Sequence, residues 1–270
     1  MSEFKVSDNP GFDDLVALMA KLRSDDGCPW DRKQTMQTIR DYFLEEVHEA
    51  LETIDNKDWD GLKEELGDVV FEAVFLGQIA KDEGHFNIHD SIRTVYEKLV
   101  RRHPHVFGEQ KVTLAEEVPG LWEKVKEQER KDAPKPKESA LDGIPPSLPP
   151  LLQALRVSER AVNLGFEWED LDGVLEKLDE EVEEFKEAVR EKQDIEKIEE
   201  EVGDMLFTMV NVARKLDVKA HNSLQRTITK FRRRFAAMEK TLKTQEVEMT
   251  NCSLDQLEEI WQEVKRIERQ

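Results

Sequence analysis

The residues whose types and spacing could do chemistry are acidic. Glu181 and Glu184 lie three apart, as do Glu201 and Asp204, so in helices turning about 100° per residue each pair falls on one face. Leu178 and Phe185 flank Glu181 at helical spacing, and Ile198 and Met205 flank Glu201 in the same way, so these carboxylates interrupt apolar stripes. Four like charges turned into one bundle are costly to bury and rise in pKa unless something compensates them. A divalent cation does so. Oxygen donors without Cys or paired His select a hard ion, Mg2+ with Mn2+ as a substitute, rather than zinc.

A single EExxE run in an acidic protein is more often a solvated helix face. Here the pattern is duplicated. Leu44-Glu45-Glu46-Val47-His48-Glu49 matches Asp179-Glu180-Glu181-Val182-Glu183-Glu184, and Glu64-Glu65-Leu66-Gly67-Asp68 matches Glu200-Glu201-Val202-Gly203-Asp204, across spacers of 15 and 16 residues. Glu46, Glu49, Glu65 and Asp68 thus form a possible second metal site. Further on, Lys98 with Arg102 matches Lys230 with Arg234, and Trp122 with Lys126 matches Trp261 with Lys265. Four features recurring in one order indicate tandem duplication.

The basic pairs sit one turn apart and could hold phosphate oxygens, Arg as a fork and Lys as a point charge. Taken alone they are ordinary partners for surplus Glu, with Trp261 as core. Lys177 and Lys197 each precede a candidate ligand by four residues, whereas Tyr42 and Gly61 stand at those places in the first half. That asymmetry equips the second half better for a polyphosphate.

The elements that must position these residues are helices. Apolar residues recur at helical spacing in ten segments, from Phe12 to Leu22 through Leu254 to Ile267, and strand alternation is essentially absent. Asp58 and Asp170 are expected N-caps. Six of the 10 prolines fall between Pro134 and Pro150, where they prevent helix propagation. The expected organisation is all-α: a helical bundle over residues 1–131, a Pro-rich linker over 132–150, and a second bundle over 151–270, each of four or five helices.

Composition narrows the partners. The 270 residues carry 60 Asp and Glu against 40 Lys and Arg, a formal charge of -20, which repels nucleic acid and anionic lipid. No apolar run approaches a membrane span, no signal peptide is visible, and the 2 cysteines suit a reducing compartment, so a cytoplasmic location is expected. Neither Cys28 nor Cys252 stands in a thiol-catalysis motif.

The ordered set resembles the MazG family of nucleoside triphosphate pyrophosphohydrolases, whose signature is EExxE, a spacer and ExxD. The likeness covers nearly the whole chain, as a tandem pair of MazG-like bundles. It takes in Gly27-Cys28-Pro29-Trp30-Asp31 before the first motif and Arg101-Arg102-His103-Pro104-His105-Val106-Phe107-Gly108 after it. One departure is Met36, where the family often carries His. The resemblance implies metal binding by Glu181, Glu184, Glu201 and Asp204, and nucleotide contacts by Lys177, Lys197, Glu200, Lys230, Arg234, Trp261 and Lys265. Glu180 would orient a water or a ligand, and either Glu180 or Glu200 could take the water's proton.

The implied reaction is Mg2+-dependent hydrolysis of ribo- and deoxyribonucleoside triphosphates to monophosphate and pyrophosphate. The second domain would do most of the work, and a homodimer would complete the sites. Alternatives within the class are phosphoribosyl-ATP and dUTP pyrophosphohydrolysis; outside it, a non-catalytic cation-binding scaffold. Glu45 and His48 offer the ExxH of di-iron bundles, but Glu183 stands where a second His would be needed.

Overall fold

The protein is described by a computed structural model covering residues 4–108, 111, 114, 117–131 and 139–268. Its chain divides into two compact units, Met1–Pro134 and Lys135–Gln270. Among the described residues all regular structure is helical, and no helix is long and apolar enough to cross a membrane.

The first unit contains α1 (Phe12–Leu22), α2 (Pro29–Lys33), α3 (Met36–Asn56), α4 (Trp59–Asp82), α5 (Ile88–Arg102), α6 (Pro104–Phe107) and α7 (Val118–Lys131). Its centre is the α3–α4 hairpin, with α1 and α5 packed on α4 and α6 and α7 on α5. Met19, Ile39, Val74, Phe75 and Ile79 form its core, each contributing on the order of 1.5–3 kcal/mol by burial. The turn after α1 is tight at Gly27, where a Cβ would lie 2.2 Å from the Leu22 carbonyl oxygen. Arg23 ties the following segment down, its Nη1 donating to the Asp31 carbonyl at 2.5 Å and its Nε to Asp82 at 2.7 Å.

The second unit contains α8 (Pro150–Val162), α9 (Leu171–Arg190), α10 (Ile195–Lys215), α11 (Ala220–Thr244) and α12 (Leu254–Ile267), with a short 3-10 turn at Met249–Asn251. Here α9 and α10 make the central hairpin, α8 lies against α10, and α12 folds back on α11. The α11–α12 pair has its own small core of Met238, Leu242 and Val264. Residues 132–138 of the expected linker lie outside the described residues. The part from 139 onward is tied to α8: Arg160 Nη1 donates to the carbonyls of Ala140 and Asp142 at 3.0 and 2.7 Å.

The two hairpins are built alike. Asp58 caps α4 by accepting from Gly61 N–H at 3.0 Å, and Asp194 caps α10 by accepting from Lys197 N–H at 3.0 Å. Lys57 and Lys192 close the preceding helices in the left-handed region, at φ 56° and 54°. Both α4 and α10 begin six residues before their first acidic ligand candidate. The extra residue of the second spacer therefore falls in the turn, and the carboxylates keep their register. Asp170 is the expected N-cap of α9, accepting from Gly173 N–H at 2.9 Å.

Candidate active site

On the α9–α10 hairpin, Glu181, Glu184 and Glu201 each offer a carboxylate oxygen, and these atoms all lie within 4.8 Å of one another. Glu181 and Glu201 are 6% and 4% exposed, whereas Glu184 and Asp204 stand at the open edge of the cluster. The inward turn inferred from the apolar stripes therefore holds for one member of each pair. Desolvation raises the Glu184 carboxyl above its ordinary value, with Lys177 opposing and Glu181 and Glu201 adding to the rise. Desolvation, then the charges of Glu181 and Glu201, does the same to Asp204.

Lysines answer part of this charge. Lys177 Nζ lies 2.7 Å from Glu180 and 3.1 Å from Glu181; Lys197 Nζ lies 2.8 Å from Glu200 and 2.7 Å from Glu201. Each ammonium thus bridges one outer carboxylate three residues on and one buried carboxylate four residues on, both on its own helix face. Both lysines are held more firmly protonated by these hydrogen bonds, Lys177 chiefly by Glu180 and Lys197 chiefly by Glu200. Even so, Glu201 Oε2 is buried without a hydrogen-bond partner. An orphaned buried oxygen in an all-oxygen donor set fits a hard divalent cation.

The remaining second-half candidates lie on α11 and α12. Arg234 Nε donates to Glu268 at 2.7 Å, and Arg233 Nε donates to the other oxygen of the same carboxylate at 2.7 Å. Trp261 packs in the α11–α12 core with its ring centroid 5.1 Å from that of Phe231. Lys230 is exposed and Lys265 half-buried, and neither forms an ion pair among the described residues. No hydrogen bond or ion pair among those residues connects Lys230, Arg234, Trp261 or Lys265 to the carboxylate cluster.

The first unit repeats the plan with differences. Glu46, Glu49 and Glu65 likewise bring three carboxylate oxygens within 4.8 Å of one another. Desolvation raises both Glu46 and Glu65, aided by Asp68 and Glu49 in the first case and by Glu49 and Glu46 in the second. A further carboxylate, Glu72, stands one turn beyond Asp68 on α4, outside the EExxE and ExxD motifs that mark the other candidates. It is 7% exposed, and burial followed by the charges of Glu46 and Asp68 pushes its carboxyl up to about 7. Sequence reading also missed a repeated clamp. Glu129 accepts from Arg101 at 2.7 Å and from Arg102 at 2.7 Å, as Glu268 does from Arg233 and Arg234. The signal was present: Glu129 follows Trp122 by seven residues, and Glu268 follows Trp261 by seven. The side chain of Lys126 lies outside the described residues.

Comparison with known proteins adds a family. The MazG nucleotide pyrophosphohydrolase domain matches residues 34–107 and 170–237, which bracket both acidic hairpins. The chain is 45% identical over 258 residues to a nucleoside triphosphate pyrophosphohydrolase of Escherichia coli (strain K12), covering 95% of this chain and 97% of that one. It is 43% identical over 258 residues to a nucleoside triphosphate pyrophosphohydrolase/pyrophosphatase MazG of Thermotoga maritima, covering 94% of this chain and 95% of that one. A crystal structure of a mazG-related protein from Thermotoga maritima aligns with 43% of this chain and 98% of that one, at 29% identity and a TM-score of 0.38.

Proposed function

Because this chain belongs to the MazG family, we propose that it is a hydrolase that cleaves nucleoside triphosphates to nucleoside monophosphate and pyrophosphate, with magnesium and mainly in the second unit. The observation that carries this reading is the meeting of Glu181, Glu184 and Glu201 within 4.8 Å beside the ammonium groups of Lys177 and Lys197.

Glu181, Glu184, Glu201 and Asp204 would hold Mg2+, with Mn2+ as a substitute. Bound there, the ion would supply neutralisation of the triphosphate charge and would acidify water enough for attack without a strong base. The water oxygen bonds to the α-phosphorus, the bond from that phosphorus to the bridging oxygen breaks, and pyrophosphate leaves with the bridging oxygen. Glu180 or Glu200, outside the proposed ligand set, takes the water's proton.

Lys177 and Lys197 exchange their carboxylate partners for phosphate oxygens when the nucleotide enters. Lys230, Arg234 and Lys265 would grip the β and γ oxygens, where charge accumulates on the leaving group. Stacking on Trp261 discriminates little among bases, since every base offers a π-face, so broad use of ribo- and deoxyribonucleotides is expected.

Those four residues lie on α11 and α12, and among the described residues no hydrogen bond or ion pair joins them to the cluster, which supports completion of the site by a second copy of the chain. Two apolar stripes support the same homodimer. Val202, Leu206 and Met209 on α10, and Leu224, Ile228 and Phe231 on α11, recur at helical spacing, yet all are exposed in a single chain. The test is release of monophosphate and pyrophosphate from ATP with Mg2+, wild type against Glu181→Gln. The variant is expected to be inactive; equal rates would end this reading. Activity lost in Glu46→Gln but kept in Glu181→Gln would move the reaction to the first unit.

A further inference from the structure

We infer that the first unit holds a divalent cation in the absence of any nucleotide, and that Glu72 is a ligand of that ion in addition to Glu46, Glu49, Glu65 and Asp68. Glu72 departs from the repeat. At the equivalent position, four residues beyond Asp204, the second unit has Thr208, which is also buried. Glu72 projects from α4 one turn beyond Asp68, is more than nine-tenths buried, and its Oε2 has no hydrogen-bond partner. Glu65, Asp68 and Glu72 follow one another at i, i+3 and i+7 along α4, which sets all three on one face of that helix. A buried carboxylate oxygen without a donor, on the helix face that also carries Glu65, whose oxygen converges with those of Glu46 and Glu49 within 4.8 Å, is suited to serve as a further ligand of a hard divalent ion.

The charge balance separates the two units. In the second, Lys177 and Lys197 bridge onto Glu181 and Glu201 at 3.1 and 2.7 Å, so the protein supplies two cations of its own. In the first, Tyr42 and Gly61 occupy the lysine positions, and no Lys, Arg or His forms an ion pair with Glu46, Glu49, Glu65, Asp68 or Glu72 among the described residues. Five carboxylates without a cation must take up either protons or a metal, and at neutral pH an all-oxygen cluster of this charge takes a hard divalent ion. The second unit, already part-neutralised, gains most from a metal that arrives with phosphate to occupy its lysines. Two related sites thus differ in what loads them: metal alone in the first, metal with nucleotide in the second.

This inference stands apart from hydrolysis in the second unit, and Mn2+ binding distinguishes the two. The full chain is titrated with Mn2+ alone, without nucleotide, following the electron paramagnetic resonance signal of the unbound ion. Wild type is expected to show one tight class of site. That class persists in Glu181→Gln, weakens at least roughly tenfold in Glu72→Gln, and is lost in Glu46→Gln. Thermal melting of the same samples provides a second readout: Mn2+ raises the melting temperature of wild type and Glu181→Gln, and raises that of Glu72→Gln much less. Glu72→Asp, which keeps the charge but withdraws the oxygen, is expected to bind between the two. Unchanged Mn2+ affinity in Glu72→Gln would remove Glu72 from the site. A tight class lost in Glu181→Gln and kept in Glu46→Gln would place nucleotide-free binding in the second unit and overturn the inference. Absence of pyrophosphate release with Mn2+ binding intact would fault the hydrolytic reading alone.

Discussion

Lys197 reaches one turn forward along α10 to set its Nζ 2.7 Å from Oε1 of Glu201, while Oε2 of the same carboxylate is buried with no hydrogen-bond partner. One oxygen is answered by the protein, and the other is the one the proposed cation would take. Replacing Lys197 by Met should therefore act in opposite directions on the two ligands. Metal alone should bind the second unit more tightly, because the competing ammonium is gone. The KM for ATP should rise by about tenfold, because a phosphate partner is gone. Steady-state rates over a matrix of Mg2+ and ATP concentrations separate these effects; a parallel weakening of both would show that Lys197 only props the helix.

Metal-free stability should depend on pH through Glu72. Its folded carboxyl has a pKa of about 7 against an ordinary 4.5, so between those values the folded chain keeps a proton that the unfolded chain releases. The stability this contributes is fully present below about 4.5 and is lost as pH rises through about 7. In chelator-treated protein the melting temperature of wild type, relative to Glu72→Gln, should fall across that window. Saturating Mn2+ should remove most of the difference. A wild-type curve parallel to that of the variant would show that Glu72 does not change its charge on unfolding.

Glu268 divides the duties of Arg234. The clamp ties α12 to α11 through both Arg233 and Arg234, and such a partly exposed network contributes modestly to stability. Glu268→Ala should lower the melting temperature while leaving the KM for ATP no higher than wild type, since Arg234 is freed for phosphate. Arg234→Ala should lower the melting temperature and raise the KM together. If both variants change stability alone, Arg234 belongs to the clamp and not to the nucleotide.

The parts of this molecule legible in the sequence are those with a period or a repeat. The 3.6-residue stripe put Glu181 and Glu201 on buried faces, the doubled EExxE and ExxD placed both hairpins, and Asp58 and Asp170 marked helix starts. Glu72 was hidden because a lone acid among apolar neighbours, here Phe71 and Ala73, gives no local sign of whether it faces solvent or the cluster. Glu129 and Glu268 were hidden among many similar glutamates, since an ion pair across 28 or 34 residues is a product of packing. The exposure of Glu184 and Asp204 follows from the shape of a single chain, in which the hairpin's outer edge is uncovered. A helical period does not carry that information.

Ser158 and Asn211 illustrate the same limit and offer a sharp test. Seven residues beyond Asp68 the first unit buries Phe75 in its core; seven beyond Asp204 the second unit buries Asn211 instead. Ser158 Oγ donates to Asn211 Oδ1 at 2.6 Å and accepts from Arg214 Nε at 2.7 Å, and Arg214 forks onto Glu167 at 2.6 and 2.8 Å. This chain of bonds fixes α8 against α10, the helix that carries Glu201 and Asp204. Ser158→Ala leaves a buried amide oxygen without a donor and should cost ~1–3 kcal/mol, and Asn211→Leu should cost a similar amount by stranding the hydroxyl. The double variant strands neither member of this pair and leaves only Arg214 Nε without its acceptor, as Ser158→Ala already does, so its loss should fall short of the sum of the single losses by at least ~0.5 kcal/mol. Urea unfolding of the four proteins measures this directly. Additive losses would mean that the pair is not coupled, and that α8 is held to α10 by its apolar contacts alone.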